Sequence, residues 1–151
     1  MPSVFLQDSD RAHRICIVDG DGAVRDSMRL LLESYGFEVG EYGSSAEFLR
    51  RTGDCCLLIV NHRMPETTGL ELLEVLRAGG VQTPAILMFD TAGPALAERV
   101  ETAGNCTALA KPIAASELIA TIKRSLDSRP CAHGAYVAPL KGSHEFSRTE
   151  H

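Results

Sequence analysis

Short apolar runs alternate along the chain with stretches whose apolar residues recur every three or four positions. The runs lie at 15–18, 56–60, 85–89 and 108–110, with a weaker one at 37–39. Each is too short for a stable helix and is followed by polar or glycine-containing sequence, so each predicts a strand. Between them, Val24, Met28, Leu31, Leu32 and Tyr35 share one helical face, and Gly36 supplies a stop. Ser44 and Ser45 ahead of Glu47 and Phe48 predict a short capped helix. Thr68 with Glu71 forms a capping box before Leu72, Leu73 and Leu76, and Gly79-Gly80 ends that helix. Pro94 opens a helix that runs through Leu96 and Val100 to Gly104. Ser116, Leu118, Ile119, Ile122 and Leu126 give the last one.

The pattern is a β-α unit repeated five times. Strands buried on both faces and separated by helices predict an α/β fold, a parallel sheet with helices on either side. Right-handed crossovers make the doubly wound arrangement the simplest closure. In such a sheet, chemistry gathers at the carboxyl ends of the strands. That rim receives Asp19, Gly20, Asp21, Asn61, Phe89, Asp90 and Lys111.

Composition narrows the field. The chain has 151 residues, 44% hydrophobic and 23% charged, with a net charge of -5. That is one folded domain, and its acidic balance gives no general attraction to nucleic acid or to an anionic membrane. No apolar run approaches the roughly 20 residues that a bilayer requires. The start, through Arg14, carries no apolar core of the signal-peptide kind. A cytoplasmic address is expected. Three segments follow: an N-terminal extension over 1–13, the domain over 14–128, and a tail over 129–151 without amphipathic period. The tail holds Pro130, Pro139, His133, His144 and His151, and its Ala135-Tyr136-Val137-Ala138 segment is a candidate edge strand. Cys16, Cys55, Cys56 and Cys106 lie in or beside apolar segments, where buried reduced thiols are expected.

Three blocks carry a resemblance: Ile17-Val18-Asp19-Gly20-Asp21, then Asn61-His62-Arg63-Met64-Pro65-Glu66-Thr67-Thr68-Gly69, then Lys111-Pro112-Ile113. At these separations the chain resembles the receiver domains of two-component response regulators over residues 14–128. Its segment Tyr42-Gly-Ser-Ser-Ala-Glu-Phe-Leu is similar to the FixJ type. The resemblance implies the flavodoxin/CheY-like (βα)5 fold with strand order 2-1-3-4-5, and a cis Lys111-Pro112 bond. It also implies a phosphoryl switch. Acids after the first strand, with an Asp after the third, hold Mg²⁺; that Asp accepts a phosphoryl group from a histidine kinase. A hydroxyl residue after the fourth strand and a Lys after the fifth hold the phosphoryl oxygens, and an aromatic residue in strand five reports the change.

Against that pattern, Asp19 and Lys111 remain and Asp21 matches a position that is often acidic. Gly20 stands at the direct metal-ligand position, Asn61 at the phosphoacceptor, Phe89 at the hydroxyl position and Ala108 at the switch position. An amide nitrogen is a poor nucleophile at neutral pH. Mg²⁺ demands anionic oxygens, and phosphoryl transfer rests on positioning and charge neutralisation. Catalytic residues and metal ligands are therefore expected to be absent, with no cofactor and weak or no Mg²⁺. Lys111 is expected to bond both Asp19 and the Asn61 oxygen. Asp21 is open to a helix-capping role, Asp90 to a loop, capping or pocket-facing role, and His62 reads as a surface loop residue.

Function then reads as binding rather than enzymatic chemistry: an atypical stand-alone receiver that acts through protein contacts. Its partners would be a sensor histidine kinase, another response regulator or a second copy, with no nucleic acid and no membrane. The expected surface is the face of helix 4, strand 5 and helix 5, with Glu98, Arg99, Glu101, Lys123 and Arg124 exposed. Two other readings stay open: a receiver phosphorylated on a non-standard acid with weak Mg²⁺, and a redox-responsive domain acting through its cysteines.

Overall fold

A computed structural model describes residues 13–51, 55–91 and 93–128. The extensions expected at 1–13 and 129–151, with the candidate edge strand at 135–138, lie outside the described residues apart from His13. The elements in chain order are β1 (Arg14–Val18), α1 (Gly22–Ser34), β2 (Glu38–Tyr42), α2 (Ser45–Arg50) and β3 (Leu57–Asn61). They continue with α3 (Gly69–Ala78), β4 (Ala85–Phe89), α4 (Pro94–Ala103), β5 (Cys106–Ala110) and α5 (Ala115–Ser128). The strands form one sheet in the order β2-β1-β3-β4-β5, parallel throughout.

β3 is buried at every position, as a central parallel strand must be when helices cover both faces. Its alternating side chains feed two cores. On one face Leu58 and Val60 meet Phe48 of α2, Leu72 and Leu76 of α3 and Val100 of α4. On the other, Leu57 and Ile59 meet Met28 and Leu32 of α1 with Ile119 and Ile122 of α5. Each fully buried Leu or Ile contributes about 1.5–3 kcal/mol relative to exposure.

Local signals set the helix boundaries. Asp21 caps α1 by accepting from the Ala23 and Val24 amides, and Ser44 caps α2 through the Glu47 amide. Thr68 and Glu71 form the reciprocal capping box of α3. α1 gives way to β2 at Gly36, whose φ of +91° favours glycine. At the opposite pole from the rim, the Arg77 guanidinium donates to the carbonyls of Val81, Thr83, Gly104 and Asn105. It ties the end of α3 to the segments that lead into β4 and β5.

Every strand but β4 differs in its ends from the sequence expectation; β1 begins one residue earlier, at Arg14, and β3 is shifted one residue later, to Leu57–Asn61. β2 begins one residue later and runs to Tyr42 because it pairs with β1 along its whole length. β5 starts at Cys106 and is an edge strand: Thr107, Ala108 and Ala110 are exposed and only Leu109 is buried. Burial on both faces therefore fails there, since among the described residues no further strand lies beyond it. The cysteines differ as well. Cys16, Cys55 and Cys106 are free thiols, whereas Cys56 is disulfide-bonded. No helix among the described residues is long and apolar enough to cross a membrane.

Candidate functional site

Backbone pairing brings the strand ends together before any side chain is considered. The Asp19 amide donates to the Tyr42 carbonyl at 3.1 Å, the His62 amide to Met88 at 2.7 Å and the Lys111 amide to Phe89 at 2.8 Å. These bonds place Asp19, Asn61 and Lys111 around one open pocket of about 770 Å³. Gly20, Asp21, Arg63, Pro65 and Asp90 complete most of its wall. The Lys111-Pro112 bond is cis.

A chain of alternating donors and acceptors crosses this pocket. Asp19 Oδ1 accepts from the Asp21 amide at 2.9 Å and from Asn61 Nδ2 at 3.3 Å. Asn61 Oδ1 in turn accepts from Lys111 Nζ at 2.9 Å. Lys111 Nζ lies 4.0 Å from Asp90 Oδ1, and Asp90 Oδ2 lies 3.5 Å from Arg63 Nε. A neutral amide suits the middle of this chain because it offers a donor to the carboxylate and an acceptor to the ammonium. The expected direct bond from Lys111 to Asp19 is replaced by this relay: the amide is long enough to span the gap, and it occupies the line between them.

Several other sequence expectations change in detail. Asp21 turns its Oδ1 back onto the first turn of α1, at 3.0 Å from the Ala23 amide. Phe89 is half-buried and does not line the pocket; the next residue, Asp90, does. Nor does Asp90 cap α4, whose N-cap is Gly93 without a side-chain bond. His62 is half-buried rather than a solvated loop residue, and its Nδ1 is buried without a partner among the described residues. Its charge is lowered in stability first by burial and then by Arg99, with Glu71 opposing. Its electrostatic neighbours therefore belong to α3 and α4, and it is absent from the pocket wall. Arg63 and Arg25 went unassigned in the sequence: Arg63 reaches Asp90, and the Arg25 guanidinium donates to the Asp19 carbonyl. The Arg-Met-Pro turn at 63–65 was the available signal for the first.

The receiver resemblance implies Mg²⁺ at this rim, and the donor set fits it poorly. Asp19 Oδ2 is buried with no partner among the described residues, so one carboxylate oxygen stands ready. Gly20 brings no donor, Asp21 Oδ1 is engaged by α1, and the Asn61 oxygen is held by Lys111. Mg²⁺ requires octahedral oxygen ligation with anionic partners, and Asp19 Oδ2 is the one buried carboxylate oxygen of this rim without a partner among the described residues. Among the described residues no three His, Cys, Asp or Glu side chains gather as a ligand group.

Glu98, Arg99, Glu101, Lys123 and Arg124 are all exposed. Three of them make contacts of their own. Arg99 turns to α3, where it grips Glu74 at 2.7 and 3.0 Å and holds that carboxyl below its ordinary range. Lys123 lies 5.8 Å from the centre of the Tyr35 ring, on the flank shared with α1. Arg124 donates to Thr121 within α5. Ala108 is exposed on β5 between these flanks.

Comparison with known proteins agrees with this architecture. The model of the response regulator receiver domain matches residues 15–123. The response regulator protein TodT of Pseudomonas putida is 32% identical over 141 residues, which cover 91% of this chain and 62% of that protein. The transcriptional regulatory protein FixJ of Azorhizobium caulinodans is 36% identical over 112 residues, 73% of this chain and 53% of its own. The chain thus spans between about half and three fifths of the length of these relatives. Among solved structures, a CheY-like response regulator receiver domain protein from Methanospirillum hungatei superposes with a TM-score of 0.72 at 28% identity, covering 78% of this chain and 95% of that one. The chemotaxis protein CheY4 of Vibrio cholerae shares the fold, with a TM-score of 0.70 at 23% identity over 76% of this chain and 99% of its own.

Proposed function

This chain belongs to the response regulator receiver domain family, and from that premise we propose that it signals by protein contact without being phosphorylated. Receiver domains are signalling modules of two-component systems, engaged by histidine kinases and other regulators. The observation that carries the proposal is the Asn61 amide seated between Asp19 and Lys111. It accepts one bond from the Lys111 ammonium and donates one to an Asp19 oxygen without a metal. Where the family's attacking carboxylate oxygen would stand, it puts an amide that is too weak a nucleophile. With Gly20 and Phe89 at the ligand and hydroxyl positions, neither Mg²⁺ nor a phosphoryl group finds its usual partners.

Such a domain acts through a surface. The exposed β5 edge with Thr107, Ala108 and Ala110, bordered by Glu98 and Glu101 of α4 and Arg124 of α5, is the face we assign to a kinase, another regulator or a second copy. Arg99 and Lys123, committed to Glu74 and to the Tyr35 ring, contribute less to it. A cytoplasmic address and a separate tail over 129–151 belong to the same reading. The alternative of phosphorylation on another acid is disfavoured because Asp21 caps α1 and Asp90 is paired with two cations.

Incubation with acetyl phosphate and Mg²⁺, followed by intact mass measurement, tests the proposal. No phosphoryl adduct is expected on the wild type. A stable aspartyl phosphate formed within minutes would refute it. One observation favours a second, redox reading: Cys56 is disulfide-bonded. A dithiothreitol-dependent change of oligomeric state would support that reading over the first.

A further inference from the structure

We infer that Asp90 is a built-in anion, a side chain that occupies the oxyanion subsite of the pocket and keeps external phosphate out. Asp90 directly follows Phe89 at the end of β4, and its two oxygens face two different cations. Oδ1 lies 4.0 Å from Lys111 Nζ, and Oδ2 lies 3.5 Å from Arg63 Nε. Lys111 comes from the end of β5 and Arg63 from the turn after β3, so the carboxylate bridges two loops that no backbone bond among the described residues joins at that point.

The chemistry of the neighbours fixes the role. Lys111 has three donors; one goes to Asn61 Oδ1 at 2.9 Å, and its remaining charge faces Asp90. The Phe89 side chain offers no polar group, and Asp90 is the only other partner recorded for that ammonium among the described residues. Asp90 has no helix to cap, because α4 begins after Gly93 without a side-chain bond. Its carboxylate is 42% exposed, which leaves it free to be displaced or removed without disturbing the core. Arg63, 82% exposed, has Asp90 as the only ion-pair partner recorded for it among the described residues. A phosphate dianion entering the pocket would have to expel Asp90 or lie against it, and like charges at that range repel.

This inference rests on the phosphate-free reading of the same pocket and adds the group that enforces it. Inorganic phosphate is the probe, titrated into ¹⁵N-labelled protein while the amides of residues 61–63, 89–91 and 110–111 are followed. The wild type and Asp90→Glu should show little response. Asp90→Ala and Asp90→Asn should bind phosphate about two- to fivefold more tightly, the factor that one partly exposed charge pair is worth. Adding Arg63→Ala to Asp90→Ala should return the affinity toward the wild-type level. Equal phosphate binding by the wild type and both Asp90 variants, whether weak or strong, overturns the role of Asp90. The acetyl phosphate result on the wild type separates the two claims. An adduct there sinks the phosphate-free reading, whereas no adduct combined with unresponsive Asp90 variants sinks the Asp90 inference alone.

Discussion

Asn61 donates its side-chain nitrogen to Asp19 at 3.3 Å, a bond that joins the ends of β3 and β1 across 42 positions of sequence. A carboxylate at 61 could not make it. Asn61→Asp would set two acids against each other in a site where Asp19 is 1% exposed, and would remove one of the two donors that Asp19 Oδ1 uses, leaving the Asp21 amide. We expect a loss of about 1–3 kcal/mol in urea unfolding carried out in EDTA, from the lost hydrogen bond to a buried carboxylate and the repulsion between two acids. Added Mg²⁺ should restore part of it, while the wild type stays indifferent to the ion. A variant as stable as the wild type in EDTA would show that the amide is not what holds the rim together.

Arg77 is the counterpart at the other pole. Its guanidinium donates four bonds to the Val81, Thr83, Gly104 and Asn105 carbonyls at 2.7–3.0 Å. Arg77→Ala should cost about 2–4 kcal/mol by chemical denaturation, because several charge-assisted bonds go at once. Arg77→Lys should recover only part of that, since a compact ammonium cannot reproduce a planar fork aimed at four acceptors. A surface-sized loss for the alanine variant would mean that water replaces the staple.

How far the sequence could be read depended on whether a feature was local. The capping box of Thr68 and Glu71, the cap at Ser44 and the stop at Gly36 each depend on neighbours within a few residues, and the structure has all three. The parallel sheet was equally legible, because β3 must be apolar on both faces to lie at its centre. Features made by distant segments were not. Arg77 sits among the polar positions of α3, and nothing nearby marks its four carbonyl partners. The orientation of Asp90 depends on Lys111 and Arg63, brought in by two other strands. Gly69 is a middle case: a Cβ there would lie 2.5 Å from Val60 and 2.6 Å from the Asn61 carbonyl, a close approach the sequence showed only as a glycine in a turn. The exposure of β5 was missed because an apolar run does not announce that its strand will be last in the sheet.

Alkaline pH should weaken the fold through its thiols. Burial pushes Cys106 up from 9.0 to about 11, and burial pushes Cys55 well above the ordinary thiol range. A folded-state pKa above the unfolded one gives a contribution fully present below pH 9 that is lost as pH rises through 11. Cys16 works in the opposite sense, held low first by its hydrogen bond with Cys55. The comparison that isolates Cys106 is therefore the wild type against Cys106→Ala. The urea midpoint of the wild type should fall more steeply between pH 9 and 11 than that of the variant. Parallel curves would place the alkaline loss elsewhere.

Metal binding should return when both missing carboxylates return. A Cβ at Gly20 would meet Pro65 at 3.5 Å and the Gly43 carbonyl at 3.8 Å, ordinary contacts that leave room for a side chain. Gly20→Asp is therefore tolerated by the backbone, and it places a second acid beside the unpartnered Asp19 Oδ2. With Asn61→Asp in the same chain, three carboxylates surround one point that Lys111 can no longer neutralise alone. A hard divalent ion then gains the anionic oxygens that offset its dehydration. For a dissociation constant of about 1 mM, 10 mM Mg²⁺ should stabilise the double variant by about 1.4 kcal/mol. The wild type should gain nothing and Asn61→Asp an intermediate amount, each read as the shift of the thermal midpoint with and without the ion. An equal shift in all three proteins would mean that Asp19 alone suffices for Mg²⁺, and that Gly20 and Asn61 do not explain its expected weakness here.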